Sequence, residues 1–404
     1  MKILQLSITY TLSSDGLDSD LAEALAKNGH EVCVAAMSPK FESPKGTLAD
    51  KNGVEVLCVK TGTIQKVSKY KKGLNFIMLP HIVKGAIKRH FGKRSFDLVL
   101  FEAPPVTLQS VVWWAKKYFR CPAYLMQKDI FPQNAVDLGF FKKNSLPYFY
   151  FRNQEKKMLK AADFIGCMSQ ANIDYIREKN PYINPERVEY FPNTKAVKAF
   201  CAEDKAEIRA KFGIPKDACV FLFGGNMGKP QNVEIINGAI SHFSGDESVY
   251  FLFIGSGTEA GKIKNFIAQI SAKNAKFLDY MPRADYERIL KTCDVGIISL
   301  SPKFTFPNYP SKILSYMECG VPVAASLDRF TDCGKLIAED AQCGLFSDAS
   351  NPEGFYKIIK TFAESPELRR RMGLNGRKYL EENFDVSRSV KILEGRFGSS
   401  PRRI

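Results

Sequence analysis

The sequence predicts two doubly wound α/β domains facing each other across a cleft. Three observations lead there. The 404 residues suffice for two domains of about 200 residues each. Short β-rich runs alternate with helical patterns through both halves. Many of those runs are apolar on both faces, as expected of parallel strands covered by helices on either side.

In order, the first half reads as strands at Ile3–Ile8, Glu31–Met37, Val54–Val59, Phe96–Phe101, Ala123–Gln127, Phe164–Met168 and Val188–Phe191. A helix over Leu21–Asn28, stopped by Gly29, links the first two. The polar segment Asn193–Asp217 follows a Pro-Asn turn and precedes a fresh strand, so it reads as the junction. Strands then recur at Cys219–Phe223, Tyr250–Ile254, Lys276–Tyr280, Val295–Leu300, Val321–Ala325 and Gly344–Phe346. Helices are expected over Tyr286–Cys293, Ile313–Cys319 and Val386–Phe397, with a frayed end from Gly398 to Ile404. The domain limits become 1–195, 196–382, and a C-terminal helix and tail at 383–404 placed to cross back to the first domain.

Composition narrows the class. With 45% hydrophobic residues the chain is not disordered. No apolar run approaches the roughly 18 residues of a membrane-spanning helix. The start MKILQLSITY opens on a strand, so no secretion signal is expected. Ten cysteines lie scattered, without C-x-x-C pairs or metal-ligand spacing, and read as reduced thiols of a cytoplasmic protein. With four histidines, no metal site is expected.

Positive charge gathers in one half. Residues 1–200 carry 30 Lys and Arg against 18 Asp and Glu, whereas residues 201–404 carry 28 against 25. The stretch Lys60–Arg94 holds ten basic residues and no acid, interleaved with Leu74, Phe76, Ile77, Met78, Leu79, Ile82, Val83, Ile87 and Phe91. Phe140-Phe141-Lys142-Lys143 and Tyr148–Phe151 repeat the theme. Such surfaces suit an anionic membrane leaflet; a solvated helix face over a core stripe is the plainer alternative. No nucleic-acid-binding motif is present.

Ligands of open α/β sheets bind beyond the carboxyl ends of the strands, so the loops after strands are the candidate sites. The loop Ser7–Gly16 leads into the first helix, and Gly16 lets backbone approach a ligand. Its acids Asp15, Asp18 and Asp20 oppose a phosphate there; Asp18-Ser19-Asp20 is read as helix capping rather than a metal motif. The second loop, Phe223–Asn232, offers Gly225, Asn226 and Lys229 to a phosphate, with a plain turn as the alternative. The third, Asn308–Lys312, sets Ser311 and Lys312 at a helix start, where a diphosphate would meet N–H groups, a hydroxyl and a cation; an N-cap beside a surface lysine is the alternative. Asp129, an acid just past an apolar strand, is either a substrate contact or a turn residue. Thr331 and Asp332 are weaker candidates, and His30 reads as structural.

Together these segments resemble glycosyltransferase family 4 over nearly the whole chain. Asn28-Gly-His-Glu-Val32 is similar to the family's second-strand entry, Lys128-Asp129-Ile-Phe-Pro132 to its R-D-x-x-P loop, and Ala161–Ser169 to its Ala-Asp…Ser strand. Phe251–Gly257 and Leu290–Ser299 match its second-domain strands. Pro310–Met317 with Gly320-x-Pro322 is the most specific piece. The chain departs from the family where two glutamates usually stand eight positions apart, here Pro307 and Ser315, with Glu318 as a substitute on the same helical face. The usual Arg and Lys of the first second-domain loop are replaced by Asn226 and Gln231.

The resemblance implies the GT-B fold and metal-independent, retaining transfer of a hexose without a cofactor. The donor would be a UDP- or GDP-linked sugar. The acceptor would be a lipid-linked, polyprenyl-type glycan in bacterial capsule or O-antigen synthesis, met at the inner face of the membrane. Lys312, Ser311 and Lys229 would offset the leaving diphosphate's charge, Tyr280 and Met281 would frame the base, and Asp129 would orient the sugars. Two other readings stay open. One is a protein that binds a sugar nucleotide without turning it over. The other is a sugar-nucleotide epimerase, for which no paired acids are placed.

Overall fold

The computed structural model describes residues 1–13, 16–62, 69–200 and 203–398, with the side chains of 69–74, 76 and 77 left aside. Asp15, Lys66, Lys69, Lys71, Lys72, Leu74, Phe76, Ile77, Cys201 and the tail beyond Gly398 therefore lie outside the described side chains. The chain divides into two compact units, Met1–Ala196 with Asp385–Ile404, and Val197–Phe384.

In the first unit the strands are β1 (Lys2–Ser7), β2 (Glu31–Ser38), β3 (Thr47–Lys51), β4 (Val54–Lys60), β5 (Leu98–Ala103), β6 (Ala123–Gln127), β7 (Phe164–Cys167) and β8 (Val188–Tyr190). They form one sheet in the order β3-β4-β2-β1-β5-β6-β7-β8. All pairs are parallel except β3 with β4. The runs had to be apolar on both faces because alternate residues feed opposite layers. Leu4, Leu6, Val99 and Phe101 enter one core; Ile3, Leu98, Leu100 and Tyr124 enter the other. The helix Val386–Phe397 covers the second layer with Val390 and Leu393 and packs on the helix Leu17–Lys27.

The second unit holds β9 (Cys219–Asn226), β10 (Val249–Ser256), β11 (Ala275–Asp279), β12 (Val295–Ser299), β13 (Val323–Leu327) and β14 (Gly344–Asp348). Their order is β11-β10-β9-β12-β13-β14, all parallel. In each sheet the winding reverses next to the first strand, between β1 and β5 and between β9 and β12, which is where such sheets open a crevice for ligands.

Three expectations need correction. The edge strand β3 was missed because its pattern is polar and mostly solvent-facing. The segment read as a junction contains the helix Lys205–Phe212, N-capped by Asp204 and closed by Gly213 in a left-handed conformation. Strand β13 begins at Val323 rather than Val321, because Val321 still closes the preceding helix by donating to the Tyr316 carbonyl. Within the helix Lys69–Phe91, Leu79, Val83, Ile87 and Phe91 are buried, four residues apart, against the first core. That part of the basic stretch is a solvated face over a core stripe, with Met78, Lys84, Lys88 and Arg89 exposed.

Among the described residues nine cysteines are free and buried. His30 accepts or donates at both ring nitrogens, to the chain's N-terminus and to Glu394, and is structural. Among the described residues no helix is long and apolar enough to cross a membrane.

Candidate active site

The second unit gathers two predicted loops and the weaker candidate Thr331 at its switch point. Ser301 N–H donates to the Pro230 carbonyl, and Ser299 Oγ to the Asn232 carbonyl, so the loops after β9 and β12 are tied together. Thr331 Oγ1 donates to the Asn308 carbonyl at 2.7 Å, bringing the loop after β13 to the same rim. Tyr316, fully buried, donates from the helix Lys312–Glu318 toward the carbonyls of Leu222 on β9 and Ile297 on β12. Gly296 leaves the space its ring fills; a Cβ there would strike the Tyr316 ring. The helix is thereby set across the gap between the two central strands.

Lys312 opens that helix. Its Nζ is buried without a hydrogen-bond partner among the described residues, 4.1 Å from the centroid of the Phe223 ring. Burial alone pulls its pKa down, to about 8. A desolvated cation costs several kcal/mol unless paired, and the ring face returns only part of that. Ser311 stands exposed beside it, and its side chain caps nothing.

The loop after β9 matches this. Gly225 takes φ +91°, a left-handed conformation that glycine adopts without strain. Gly225, Asn226 and Lys229 are exposed, while Gly228 N–H is taken by Gln231. A Cβ on Gly255 would meet the Gly225 carbonyl, and one on Gly257 the Met227 carbonyl, so the loops after β9 and β10 lie backbone on backbone. Tyr280 follows β11 and is 77% exposed, with Met281 half-buried beside it. Glu318, at the far end of the helix from Lys312, is buried and accepts from Lys198 N–H, while its carbonyl accepts from Arg377. The structure thus gives Glu318 a chain-anchoring occupation.

The first unit holds a buried charge cluster that sequence reasoning missed. Asp18 and Glu102 are both almost wholly enclosed, and Lys128 pairs with Asp18 and, at 3.2 Å, with Glu102. Ser7 Oγ reaches both carboxylates, Thr9 donates to Asp18, and Ile8 N–H donates to Glu102 at 2.9 Å. Burial and then the charge of Asp18 push Glu102 up to about 7. Burial works against the charge of Lys128 too, yet the two carboxylates outweigh it and hold the ammonium above its ordinary pKa. Asp18 likewise stays below its ordinary value because Lys128 outweighs burial. The capping role expected of Asp18 and Asp20 is therefore wrong: Gly16 and Ser19 cap the helix through Ser19 Oγ, and Asp20 accepts from Ala196 N–H. The overlooked signal was an acid, Glu102, ending an apolar strand.

Asp129 sits just past β6, raised to about 6 by burial. Its carboxylate accepts from its neighbour Ile130 N–H and from Asn134. Among the described residues no group of three or more His, Cys, Asp or Glu is placed to hold a metal ion.

The chain is similar to known glycosyltransferases over most of its length. The family model described as Glycosyltransferase Family 4 matches residues 19–194, and that described as Glycosyl transferases group 1 matches residues 204–379. A probable glycosyltransferase of Pseudomonas aeruginosa, WbjE, is 26% identical over 59% of each chain. WcaI of Escherichia coli, described as a putative colanic acid biosynthesis glycosyl transferase, is 22% identical over 45% of each. Both matches span less than two thirds of the relative's own length. HepE of Anabaena, solved with UDP and glucose, shares the fold with a TM-score of 0.68 at 16% identity, covering 99% of this chain and 100% of that one. The architecture is that of GT-B glycosyltransferase structures.

Proposed function

We propose, from the premise that the chain belongs to glycosyltransferase family 4, that it moves a hexose from a nucleoside diphosphate sugar to a polyprenyl-linked glycan, with retention, at the inner face of a bacterial membrane. One observation carries the reading. Lys312 holds a buried ammonium that has no hydrogen-bond or ion-pair partner among the described residues. It stands at the switch point of the second sheet, where a ligand's diphosphate would supply the missing charge.

The difficult step is departure of the diphosphate from the anomeric carbon. A fixed cation in a water-poor site favours the charge that develops there, an effect worth about 3–4 kcal/mol per donor. Lys312 supplies it, with Ser311 and Lys229 at the exposed rim. In a retaining transfer the leaving phosphate takes the acceptor's proton. Asp129, held by Asn134, orients the acceptor sugar. Tyr280 and Met281 frame the donor base.

The membrane part of the reading draws on Phe140, Leu146 and Phe149, which are 59%, 87% and 55% exposed beside Lys142 and Lys143. Polysaccharide synthesis is the process named for the colanic acid relative. The test is sugar transfer by Lys312→Ala with UDP- and GDP-sugars and a lipid-linked acceptor, followed by mass spectrometry. Turnover falls about 100–1000-fold if the assignment holds; unchanged turnover removes it. Binding of a nucleotide sugar by the unaltered protein without transfer to any acceptor would favour the non-catalytic reading.

A further inference from the structure

A cavity of about 200 Å³ in the first unit has no part in the chemistry above. It lies between the loop after β6, the helix Leu146–Ala161 and the helix Gln170–Lys179. That is below the ~300 Å³ at which pockets begin to enclose drug-sized ligands. It suits a compact group, not a nucleotide sugar.

The charge of its wall is one-sided. Lys143, Arg152 and Lys179 line it against a single acid, Glu155. Glu155 is committed to Arg152 at 2.5 Å, and the other terminal nitrogen of Arg152 donates to the Lys179 carbonyl and to Asn180 Oδ1. Burial pushes Glu155 up to about 7 even against Arg152, so the acid adds no surplus negative charge. Arg152 is thus pinned, Lys179 pairs with Glu178 at 2.5 Å in an exposed ion pair of the kind that contributes little, and Lys143 is the cation left in excess. Lys143 is exposed and has no ion-pair partner among the described residues. Tyr148 completes that side of the wall.

The Tyr148 ring meets that of Phe149 at 5.8 Å, and Phe149, like Leu146 and Phe140 nearby in the sequence, is exposed. Further along the same helix Lys156, Lys157 and Lys160 are exposed, and its one acid is the buried Glu155. A compact cationic cavity opening beside an exposed apolar surface fits a ligand with an anionic head and a hydrocarbon tail.

We propose that this cavity seats the diphosphate of a prenyl diphosphate lipid, between Lys143, Lys179 and Tyr148, with the hydrocarbon chain lying over Leu146 and Phe149. The assignment rests on the reading that the acceptor is lipid-linked. It gives that acceptor a fixed anchor apart from the donor loops.

The test uses the full chain without any nucleotide sugar. Farnesyl diphosphate in neutral detergent micelles and inorganic pyrophosphate are each titrated by calorimetry. The unaltered protein binds farnesyl diphosphate more tightly than pyrophosphate. Lys143→Ala with Lys179→Ala weakens binding of both by about tenfold, and Leu146→Ser with Phe149→Ser weakens only farnesyl diphosphate. All four side chains are at the surface, so both variants keep the fold. Unchanged binding in the lysine variant overturns the proposal, and equal affinity of the unaltered protein for the two probes overturns the lipid assignment. A protein that binds farnesyl diphosphate as described yet transfers no sugar sinks the transferase reading and leaves the cavity standing. One that transfers sugar while the lysine variant binds normally does the reverse.

Discussion

Two partly buried lysines stand in loops or helix starts on the carboxyl side of parallel strands, and they differ in one respect. Lys128 in the first unit lies against Asp18 and Glu102. Lys312 in the second unit lies over the Phe223 ring and has no hydrogen-bond partner among the described residues. The first cation is satisfied by its own chain, so its pKa is raised; the second is not, so burial depresses it. A paired buried charge serves the architecture, whereas an unpaired one is kept at a cost to stability that a ligand can offset.

The largest effect is expected from breaking the satisfied pair. Lys128→Met leaves two enclosed carboxylates without a cation and lowers stability by about 3–5 kcal/mol in urea unfolding. Adding Asp18→Asn to that variant restores part of it. If Lys128→Met proves neutral, the cluster is not the structural element described.

The converse change at the other lysine has the opposite sign. Lys312→Met removes a desolvated, unpaired ammonium and stabilises the ligand-free protein by on the order of 1–3 kcal/mol, while transfer is lost. A destabilised Lys312→Met would mean that the lysine is already satisfied in the ligand-free fold.

The pH dependence follows from the same contrast. The folded pKa of Lys312 is about 8, below its ordinary value of 10.5. Between those values the unfolded chain binds more protons than the folded one, so this lysine makes stability rise as pH increases from 8 toward 10.5. Glu102 acts in another window. Its folded pKa of about 7 lies above the ordinary 4.5. The folded state then holds the extra proton, and stability falls as pH climbs between those values. Urea midpoints measured across both windows separate the two lysine environments, and Lys312→Met abolishes the upper slope alone.

The smallest signal is proton uptake. A diphosphate placed on Lys312 raises its pKa, so binding UDP at pH 8.5 draws in a fraction of a proton per site. Calorimetry in buffers of different ionisation enthalpy measures it; zero uptake would place the diphosphate elsewhere.

Much of this molecule was legible beforehand. Strands such as Ala123–Gln127 and the helix Val386–Phe397 stand where the pattern put them, because a strand covered on both faces must be apolar throughout. Segments whose pattern was weak were lost. The edge strand Thr47–Lys51 exposes most of its side chains, and the helix Lys205–Phe212 looked like linker because its surface is polar. Lys312 was identifiable as the lysine opening a helix after a strand. That its amine is enclosed and unpartnered was not, since this depends on Phe223, 89 positions earlier in the chain.

The sequence by itself determined the alternation of elements and the loops that end up at the carboxyl ends of both sheets, because local periodicity and turn residues encode them. Only the tertiary structure decided which charges meet. Lys128 finds Asp18 across 110 positions, a pairing set by the order of β1, β5 and β6 in the sheet. Electrostatic energy depends on distance and burial, and neither is written in the neighbouring residues.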